Sequence, residues 1–184
     1  MIVLTGMSCS GKTAILKALC RFGYRKIVTF TTRPPRPKEK DGDDYWFISN
    51  KEFDAKIANG DFAETEAFKT VAGTWRYGSE LRAYGGFNRA VILTPAGIRH
   101  IRKTHPNIDI TVFYIDTPEF VRWKRMKDRG DNKQEAARRM MRDKEDFADI
   151  QELADYTIVN DGSLGIVKVA KKIASIHEET NQRR

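Results

Sequence analysis

The sequence has few of the residues that cross-link or anchor a chain. Its 184 residues include two cysteines, Cys9 and Cys20, and three histidines without ligand spacing, so neither a disulfide framework nor a zinc site is expected. No apolar run is long enough to cross a bilayer, and the apolar start of the chain is too short for a secretion signal. These absences predict a protein of the reducing cytoplasm with no membrane partner.

The composition predicts one basic domain. Lysine and arginine number 33 against 25 acidic residues, which gives a net charge of +8, and 40% of the residues are hydrophobic. A chain of this length and apolar content can bury a substantial core. The positive charge is spread along the chain, so it does not separate nucleic acid, a membrane surface and small phosphorylated ligands as partners. A nucleic-acid partner depends on this charge alone, and none is expected.

Apolar periodicity predicts alternating strands and helices. Strands are expected at 3–4, 27–30, 44–48, 90–93, 108–115 and 156–159, and helices at 11–22, 51–59, 118–128, 133–153 and 163–178. Extended pieces at 63–68 and 73–77, with a loop at 69–72, predict a hairpin. The alternation is typical of an α/β fold with a parallel central sheet covered on both faces. The segment of about 31–84 breaks this alternation and is interpreted as a small inserted subdomain.

A phosphate-binding motif follows the first predicted strand. Residues 6–13 read Gly6-Met7-Ser8-Cys9-Ser10-Gly11-Lys12-Thr13 and precede a predicted helix, which matches G-x-x-x-x-G-K-[ST] in its required setting. In such a loop the backbone N–H groups donate to phosphate oxygens, the lysine reaches the β- and γ-phosphates, and the final hydroxyl ligates Mg²⁺. The motif therefore predicts ATP contacts from Ser8, Cys9, Ser10, Gly11, Lys12, Thr13 and Ala14, with Thr13 as the metal ligand.

Two further features of the chain have more than one interpretation. The loop amides could acidify the Cys9 thiol and make nucleotide binding sensitive to oxidation, or Cys9 could be a small tolerated loop residue. Arg33 and Arg36 lie in a proline-rich segment, where two guanidinium groups with restricted freedom suit a dianionic phosphate. The alternative for that segment is a solvated basic turn.

Several motifs in order along the chain carry a family resemblance. They are Thr29-Phe30-Thr31-Thr32-Arg33-Pro34-Pro35-Arg36-Pro37, Asp41-Gly42-Asp43-Asp44-Tyr45-Trp46-Phe47-Ile48-Ser49, Asp61-Phe62-Ala63-Glu64, Tyr77-Gly78-Ser79, Lys124-Arg125-Met126-Lys127-Asp128-Arg129-Gly130, Arg138-Arg139-Met140 and Ile158-Val159-Asn160-Asp161. Together with the phosphate loop, they make nearly the whole chain similar to the guanylate kinase family.

The resemblance implies a fold and an activity. The expected fold is a three-layer P-loop kinase with a parallel central sheet, a small mixed α/β subdomain that binds the nucleoside monophosphate, and a helical lid. It would be one domain over 1–184, with its core at 1–30 and 85–184, the subdomain at about 31–84 and the lid at about 125–142. The expected reaction is phosphoryl transfer from ATP, with Mg²⁺, to a nucleoside monophosphate, most naturally GMP or dGMP. A monomer or weak homodimer is expected.

The resemblance also implies roles for individual residues. The catalytic set would be Lys12 with the lid arginines Arg125, Arg129 and Arg139. Asn160 and Asp161 would lie beside the adenine of ATP. The acceptor's phosphate would be held by Arg33, Arg36, Tyr45 and Tyr77, and its base would be surrounded by Thr29, Glu64, Gly78, Ser79 and Thr94.

This sequence departs from the family pattern where acceptor choice is concerned. After the strand that ends near Leu93, the family carries an aspartate and then D-x-x-G, whereas this chain reads Thr94-Pro95-Ala96-Gly97. The acceptor could therefore be another nucleotide or a sugar phosphate, and a third alternative is a non-catalytic binding module of the same fold. Glu64 and Glu66 lie two residues apart on one strand, and the residues alone do not decide which of them reads the base.

Overall fold

The computed structural model describes residues 1–70 and 73–183. The chain divides into two compact units. Unit 1 comprises Met1–Lys26, Gly86–Ile98 and the chain from Asp109 onward, and unit 2 comprises Ile27–Gly85 and Arg99–Ile108. The inserted segment expected at 31–84 lies within unit 2, which begins slightly earlier and also takes in the second, later segment.

The elements have the following bounds. The strands are β1 (Ile2–Thr5), β2 (Arg25–Lys26), β3 (Phe30–Thr31), β4 (Trp46–Phe47), β5 (Phe62–Thr70), β6 (Gly73–Glu80), β7 (Arg89–Ile92), β8 (Thr111–Asp116) and β9 (Tyr156–Val159). The helices are α1 (Lys12–Leu19), α2 (Asn50–Ala58), α3 (Pro95–Thr104), α4 (Glu119–Asp128), α5 (Lys133–Asp146), α6 (Ile150–Leu153) and α7 (Ile166–Gln182).

Unit 1 is built on a five-stranded sheet in the order β2-β7-β1-β8-β9, with every neighbouring pair parallel. Successive side chains of a strand point to opposite faces. Phe113 and Ile115 of β8 belong to the core cluster that includes residues of α1 and α7, whereas Tyr114 packs with Phe147 and Ile150. Helical segments therefore cover both faces, which is the expected three-layer α/β architecture.

Unit 2 is built on a four-stranded sheet in the order β4-β3-β6-β5. β3 and β4 run parallel, whereas β6 is antiparallel to both β3 and β5. The hairpin β5–β6 confirms the predicted one, although Val71 and Ala72 of its predicted loop lie outside the described residues. Helix α2 starts at a capping box, in which the Ser49 hydroxyl accepts from the Glu52 N–H and the Glu52 side chain accepts from the Ser49 N–H.

Three sequence-based assignments of elements are wrong in part, and one helix has no predicted counterpart. The apolar run 27–30 is not one strand, because the chain leaves the first sheet after Lys26 and enters the second at Phe30. The strand expected at 44–48 is reduced to two residues. The long helix expected at 133–153 ends at Asp146, where the next residue, Phe147, is buried against Tyr114. Helix α3 was not predicted.

Within the described residues, no helix combines the length and the apolar character needed to span a bilayer.

Candidate active site

The phosphate loop of unit 1 turns between β1 and α1 in a conformation that depends on unusual backbone angles. Cys9 has a φ of 59° and Gly11 a φ of 97°, both in the left-handed region that glycine adopts most easily. A Cβ added to Gly11 would lie 2.5 Å from the Asn160 side-chain nitrogen, so a larger residue is excluded there. Thr13 and Ala14 lie in the first turn of helix α1, and both are exposed.

Lys12 is held inside this loop. Its Nζ donates to the carbonyl oxygens of Gly6 and Met7 at 2.5 and 2.9 Å and to the Ser10 hydroxyl at 3.3 Å. Burial lowers the pKa of Lys12 to about 8, while the nearby Asp143 carboxylate opposes that shift. The ammonium group therefore stays mainly charged at neutral pH and is available to phosphate oxygens.

Three donors from other elements fix the middle of the loop. The Ser10 carbonyl accepts from the Asn160 side-chain amide at 2.7 Å and from the Thr117 hydroxyl at 3.1 Å. The Cys9 carbonyl accepts from Arg125 Nη1 at 3.1 Å. These donors lie between β8 and α4, in α4 and just after β9. The conformation of the loop therefore depends on residues far away in sequence.

A carboxylate from helix α5 binds the start of the loop. Asp143 accepts from the Ser8 N–H at 2.7 Å and from the Ser8 hydroxyl at 3.1 Å. The same carboxylate accepts from Arg122 Nη1 at 3.2 Å, and the Arg122 side chain is almost fully buried. Burial raises the pKa of Asp143, and the bonds from Ser8 act against that shift.

The three predicted lid arginines have different surroundings. Arg125 lies at the loop, where Nη2 also approaches the Asn160 carbonyl at 3.4 Å. Arg129 pairs with the Asp131 carboxylate, and Arg139 donates to Glu135 at 2.7 Å. Arg138 and Arg139 hold the pKa of Glu135 at about 2, so this acid stays ionised at any working pH. Of the three, Arg125 thus bonds to the phosphate loop, whereas Arg129 and Arg139 bond to acidic residues of the helical segment.

The two predicted adenine-side residues also differ. Asn160 is buried and bonded to the loop, and its side-chain oxygen has no partner among the described residues. Asp161 is exposed, and its carboxylate accepts from the Ser163 N–H at 2.8 Å. Asn160 therefore supports the loop directly, and a contact of either residue with adenine remains a prediction.

In unit 2, Arg33 and Arg36 converge on one carboxylate. Arg33 Nη2 donates to both oxygens of Glu39 at 2.9 and 2.8 Å, and the Arg36 N–H donates to the same group at 2.8 Å. Arg33 is buried, and its guanidinium also lies 5.5 Å from the Tyr45 ring centre. Arg33 is thus enclosed and paired with Glu39, whereas Arg36 is exposed, and phosphate binding by the two arginines stays a prediction.

Two tyrosines stand beside this arginine pair. The rings of Tyr45 and Tyr77 meet edge to face at 5.9 Å, and the Phe68 ring meets Tyr77 edge to face at 5.6 Å. Burial raises the pKa of Tyr45, with a further contribution from Tyr77. The Tyr45 hydroxyl therefore keeps its proton and can donate to phosphate. Thr29 lies just before β3, where its carbonyl accepts from the Trp46 N–H.

The hairpin of unit 2 holds a buried carboxylate. The Ser79 hydroxyl donates to Glu64 at 2.5 Å and meets the Tyr84 hydroxyl at 2.7 Å, and all three residues are buried. Burial raises the pKa of Glu64 to about 7, and the charge of Glu66 adds to the shift. Glu66 is only half-buried, so Glu64 is the enclosed acid of the pair. Gly78 lets β5 approach closely, since an added Cβ would lie 3.2 Å from the Glu64 carbonyl.

Thr94, the last of the predicted base contacts, belongs to unit 1 and caps a helix. Its hydroxyl accepts from the Gly97 N–H at 3.1 Å, and Pro95 occupies the first position of α3. A threonine cap followed by proline is a strong helix start. The Thr94-Pro95 pair therefore has a structural role independent of any acceptor.

The predicted magnesium ion would have few protein ligands here, which fits an ion that usually keeps several of its water ligands. Among the described residues, no cluster of three or more His, Cys, Asp or Glu side chains could hold a metal. The exposed Thr13 hydroxyl at the loop is the ligand available, and Mg²⁺ would complete its shell with phosphate oxygens and water.

Sequence reasoning missed the residues that support these sites from a distance. Thr117, Arg122 and Asp143 act on the phosphate loop, Glu39 pairs with the two arginines, and Tyr84 completes the Glu64 chain. A buried polar side chain in a helix or turn is the one signal that could have pointed to them, and burial is not visible in a single sequence.

Comparison with known proteins places these features in a family. The family model described as guanylate kinase matches residues 1–179. A guanylate kinase from Symbiobacterium thermophilum is 38% identical over 88% of this chain and 77% of its own length. Guanylate kinases from Nostoc sp. and Sus scrofa are 35% and 33% identical, over 88% and 87% of this chain and 82% and 84% of theirs.

A solved structure agrees in fold. The crystal structure of guanylate kinase from Anaplasma phagocytophilum matches with a TM-score of 0.67, covering 98% of this chain and 85% of that one. The identity is 22%, so this likeness concerns the fold alone.

Proposed function

Because this chain belongs to the guanylate kinase family, we propose that it is an ATP-dependent nucleoside monophosphate kinase that converts GMP to GDP. The observation that carries the proposal is the complete phosphate loop, with the Lys12 ammonium group held inside it by three oxygens. A module that only binds a protein partner would have no use for a lysine held in this way at that position. The free thiols of Cys9 and Cys20 support the cytoplasmic location that belongs to the same proposal.

Unit 1 supplies the donor side of the reaction. The loop amides and Lys12 would bind the ATP phosphates, exchanging the lysine's three oxygen partners for phosphate oxygens. Arg125 already lies at the loop, and Arg129 and Arg139 would have to leave Asp131 and Glu135 to contact the triphosphate. Mg²⁺, held by Thr13, phosphates and water, would supply positive charge that neutralises the γ-phosphate.

Unit 2 supplies the acceptor side. An ionised Glu64 accepts from both N1–H and the 2-amino group of guanine, and Arg33 and Arg36 bind the phosphate bidentately. Tyr45 and Tyr77 donate to the same phosphate. Arg33 would exchange Glu39 for the substrate's oxygens, which present the same two-oxygen geometry.

The chemistry needs no protein nucleophile. An oxygen of the GMP phosphate attacks the γ-phosphorus of ATP, the bond from that phosphorus to the β–γ bridging oxygen breaks, and the products are GDP and ADP. In the loose transition state, charge spreads over the equatorial oxygens of the transferring group. Lys12 and Arg125 lower the barrier by neutralising that charge and by positioning the phosphates.

A second candidate is a kinase for another phosphorylated acceptor. It is favoured by Thr94, which caps α3 at the position where the family carries an acid. The buried Glu64 supports a base that offers hydrogen-bond donors, and the set Arg33, Arg36, Tyr45 and Tyr77 opposes a very different acceptor.

One experiment tests both candidates. ADP formation from ATP·Mg²⁺ is measured against GMP, dGMP, AMP, dTMP, UMP, CMP and ribose phosphate. We expect a strong preference for GMP or dGMP. A preference for a different acceptor would contradict the proposed function and support the second candidate. Lys12→Ala should lose about a thousandfold in kcat, whereas Lys17→Ala, on the exposed side of the same helix, should keep its rate. A near-normal rate for Lys12→Ala would remove the role given to that lysine.

A further inference from the structure

Tyr84 ends a short chain of buried hydroxyl groups in unit 2. It follows the turn at Leu81–Ala83, and its side chain is buried with only 7% of the residue exposed. Its hydroxyl lies 2.7 Å from Ser79 Oγ, which in turn lies 2.5 Å from Glu64 Oε1. Burial raises the pKa of Tyr84, so its phenol keeps its proton over the whole working range.

The direction of these hydrogen bonds follows from counting protons. An ionised carboxylate only accepts, so Ser79 must give its single hydroxyl proton to Glu64. Ser79 then has no proton left for its other neighbour, and Tyr84 has to donate to it. With Tyr84 as the donor, the serine proton points to Glu64 and stabilises the negative charge there.

The charge of Glu64 decides which purine edge it fits. Guanine presents two donors, N1–H and the 2-amino group, and these need a carboxylate that accepts twice. Adenine presents the N1 acceptor beside the 6-amino donor, and these fit a protonated carboxyl group, which donates once and accepts once. One proton on Glu64 therefore separates the two bases.

We propose that Tyr84 is a specificity-determining residue, which acts through Ser79 to keep Glu64 in the form that reads guanine and rejects adenine. The inference rests on the proposed function, since it concerns the acceptor site of that reaction. The ionised and protonated forms of Glu64 are close in free energy near neutral pH, because its burial and the nearby Glu66 both oppose ionisation. Loss of one hydroxyl group is therefore enough to change the selectivity.

Removal of the Tyr84 hydroxyl tests this inference. For Tyr84→Phe at pH 7, we expect kcat/KM for GMP to fall about tenfold, the upper value for one hydrogen bond between neutral groups, while kcat/KM for AMP does not fall. The matched control is Tyr24→Phe in unit 1, which also removes a buried hydroxyl, one bonded to His177 at 2.9 Å. That control should leave the GMP-to-AMP ratio unchanged.

Ser79→Ala and the double variant separate an action through Ser79 from a general loss of packing. Ser79→Ala should lower the GMP-to-AMP ratio at least as much as Tyr84→Phe does. In the Ser79→Ala background, Tyr84→Phe should have no further effect on the ratio. If circular dichroism shows that Tyr84→Phe does not fold, Tyr84→Leu, which also removes the hydroxyl group, takes its place in the same comparison.

The outcomes for the inference and for the proposed function are distinguishable. A wild-type protein that does not phosphorylate GMP overturns both. A wild-type protein that prefers GMP, together with a Tyr84→Phe variant whose ratio is unchanged or matches that of Tyr24→Phe, overturns the role of Tyr84 alone. The role of Tyr84 is also overturned if the GMP-to-AMP ratio of the double variant falls below that of Ser79→Ala by as much as Tyr84→Phe alone lowers it. Tyr84 would then act independently of Ser79.

Discussion

Glu64 is an acid whose burial opposes its charge, and this has a measurable effect on stability. Its pKa is about 7 in the fold against an ordinary value of 4.5, so the folded chain holds the proton more tightly than the unfolded chain. Below pH 4.5, Glu64 therefore does not lower the free energy of unfolding. As the pH rises to 7, the buried charge of Glu64 lowers that free energy progressively. Glu64→Gln removes that cost, so we expect it to exceed wild type in free energy of unfolding by about 3 kcal/mol at pH 8.

Denaturant unfolding at pH 5 and pH 8 checks this prediction. The gain should shrink towards zero at the lower pH, whereas the half-buried neighbour provides a control, since Glu66→Gln should show less pH dependence. An equal gain at both pH values would show that packing, rather than charge, causes the effect. The same Glu64→Gln variant should lose most of its GMP turnover.

Among the elements, α4 and α5 are joined by an ion pair that also binds the phosphate loop. Asp143→Ala would leave the nearly buried Arg122 guanidinium without this carboxylate, and we expect a loss of about 3–5 kcal/mol in the free energy of unfolding. Adding Arg122→Met to the Asp143→Ala variant removes the unpaired guanidinium charge. The double variant should then lose clearly less than the sum of the two single losses in urea unfolding, and additive losses would contradict the coupling.

The elements also show where sequence patterns suffice. The Ser49 capping box was predictable because its partners lie within a few residues, and the phosphate loop because its motif is contiguous in sequence. The end of α5 was not, because Phe147 leaves the helix to pack on Tyr114 of a distant strand. Helix α3 does have a local signal at its start, because Thr94 followed by Pro95 is typical of a helix cap.

For the molecule as a whole, the two units should respond to different ligands. ATP·Mg²⁺ is expected to slow amide hydrogen exchange in the loop at 6–13, and GMP in the β5–β6 hairpin, because each ligand stabilises the segment that it contacts. Exchange measured by mass spectrometry with each ligand alone checks this assignment. Protection of the loop by GMP and of the hairpin by ATP would reverse the two roles.

The distance in sequence between contacting residues explains how much of the site could be predicted from the sequence. The residues given roles by motif lie on short contiguous segments, and their types state their chemistry. Thr117, Asp143 and Tyr84 meet their partners only after folding, so no local spacing marks them. Family membership and the α/β fold were therefore predictable, and the supporting contacts were not.

The order of strands in the first sheet has a consequence for synthesis. Strand β1 is the central strand, yet its neighbours β7 and β8 begin at Arg89 and Thr111, beyond all of unit 2's strands. A nascent chain therefore emerges with an apolar strand that finds no sheet partner until much of the polypeptide has followed. The β5–β6 hairpin pairs residues close in sequence and can form before then. The β5–β6 hairpin can thus form before β1 pairs, and β1 would stay open to a chaperone until β7 and β8 have been synthesised.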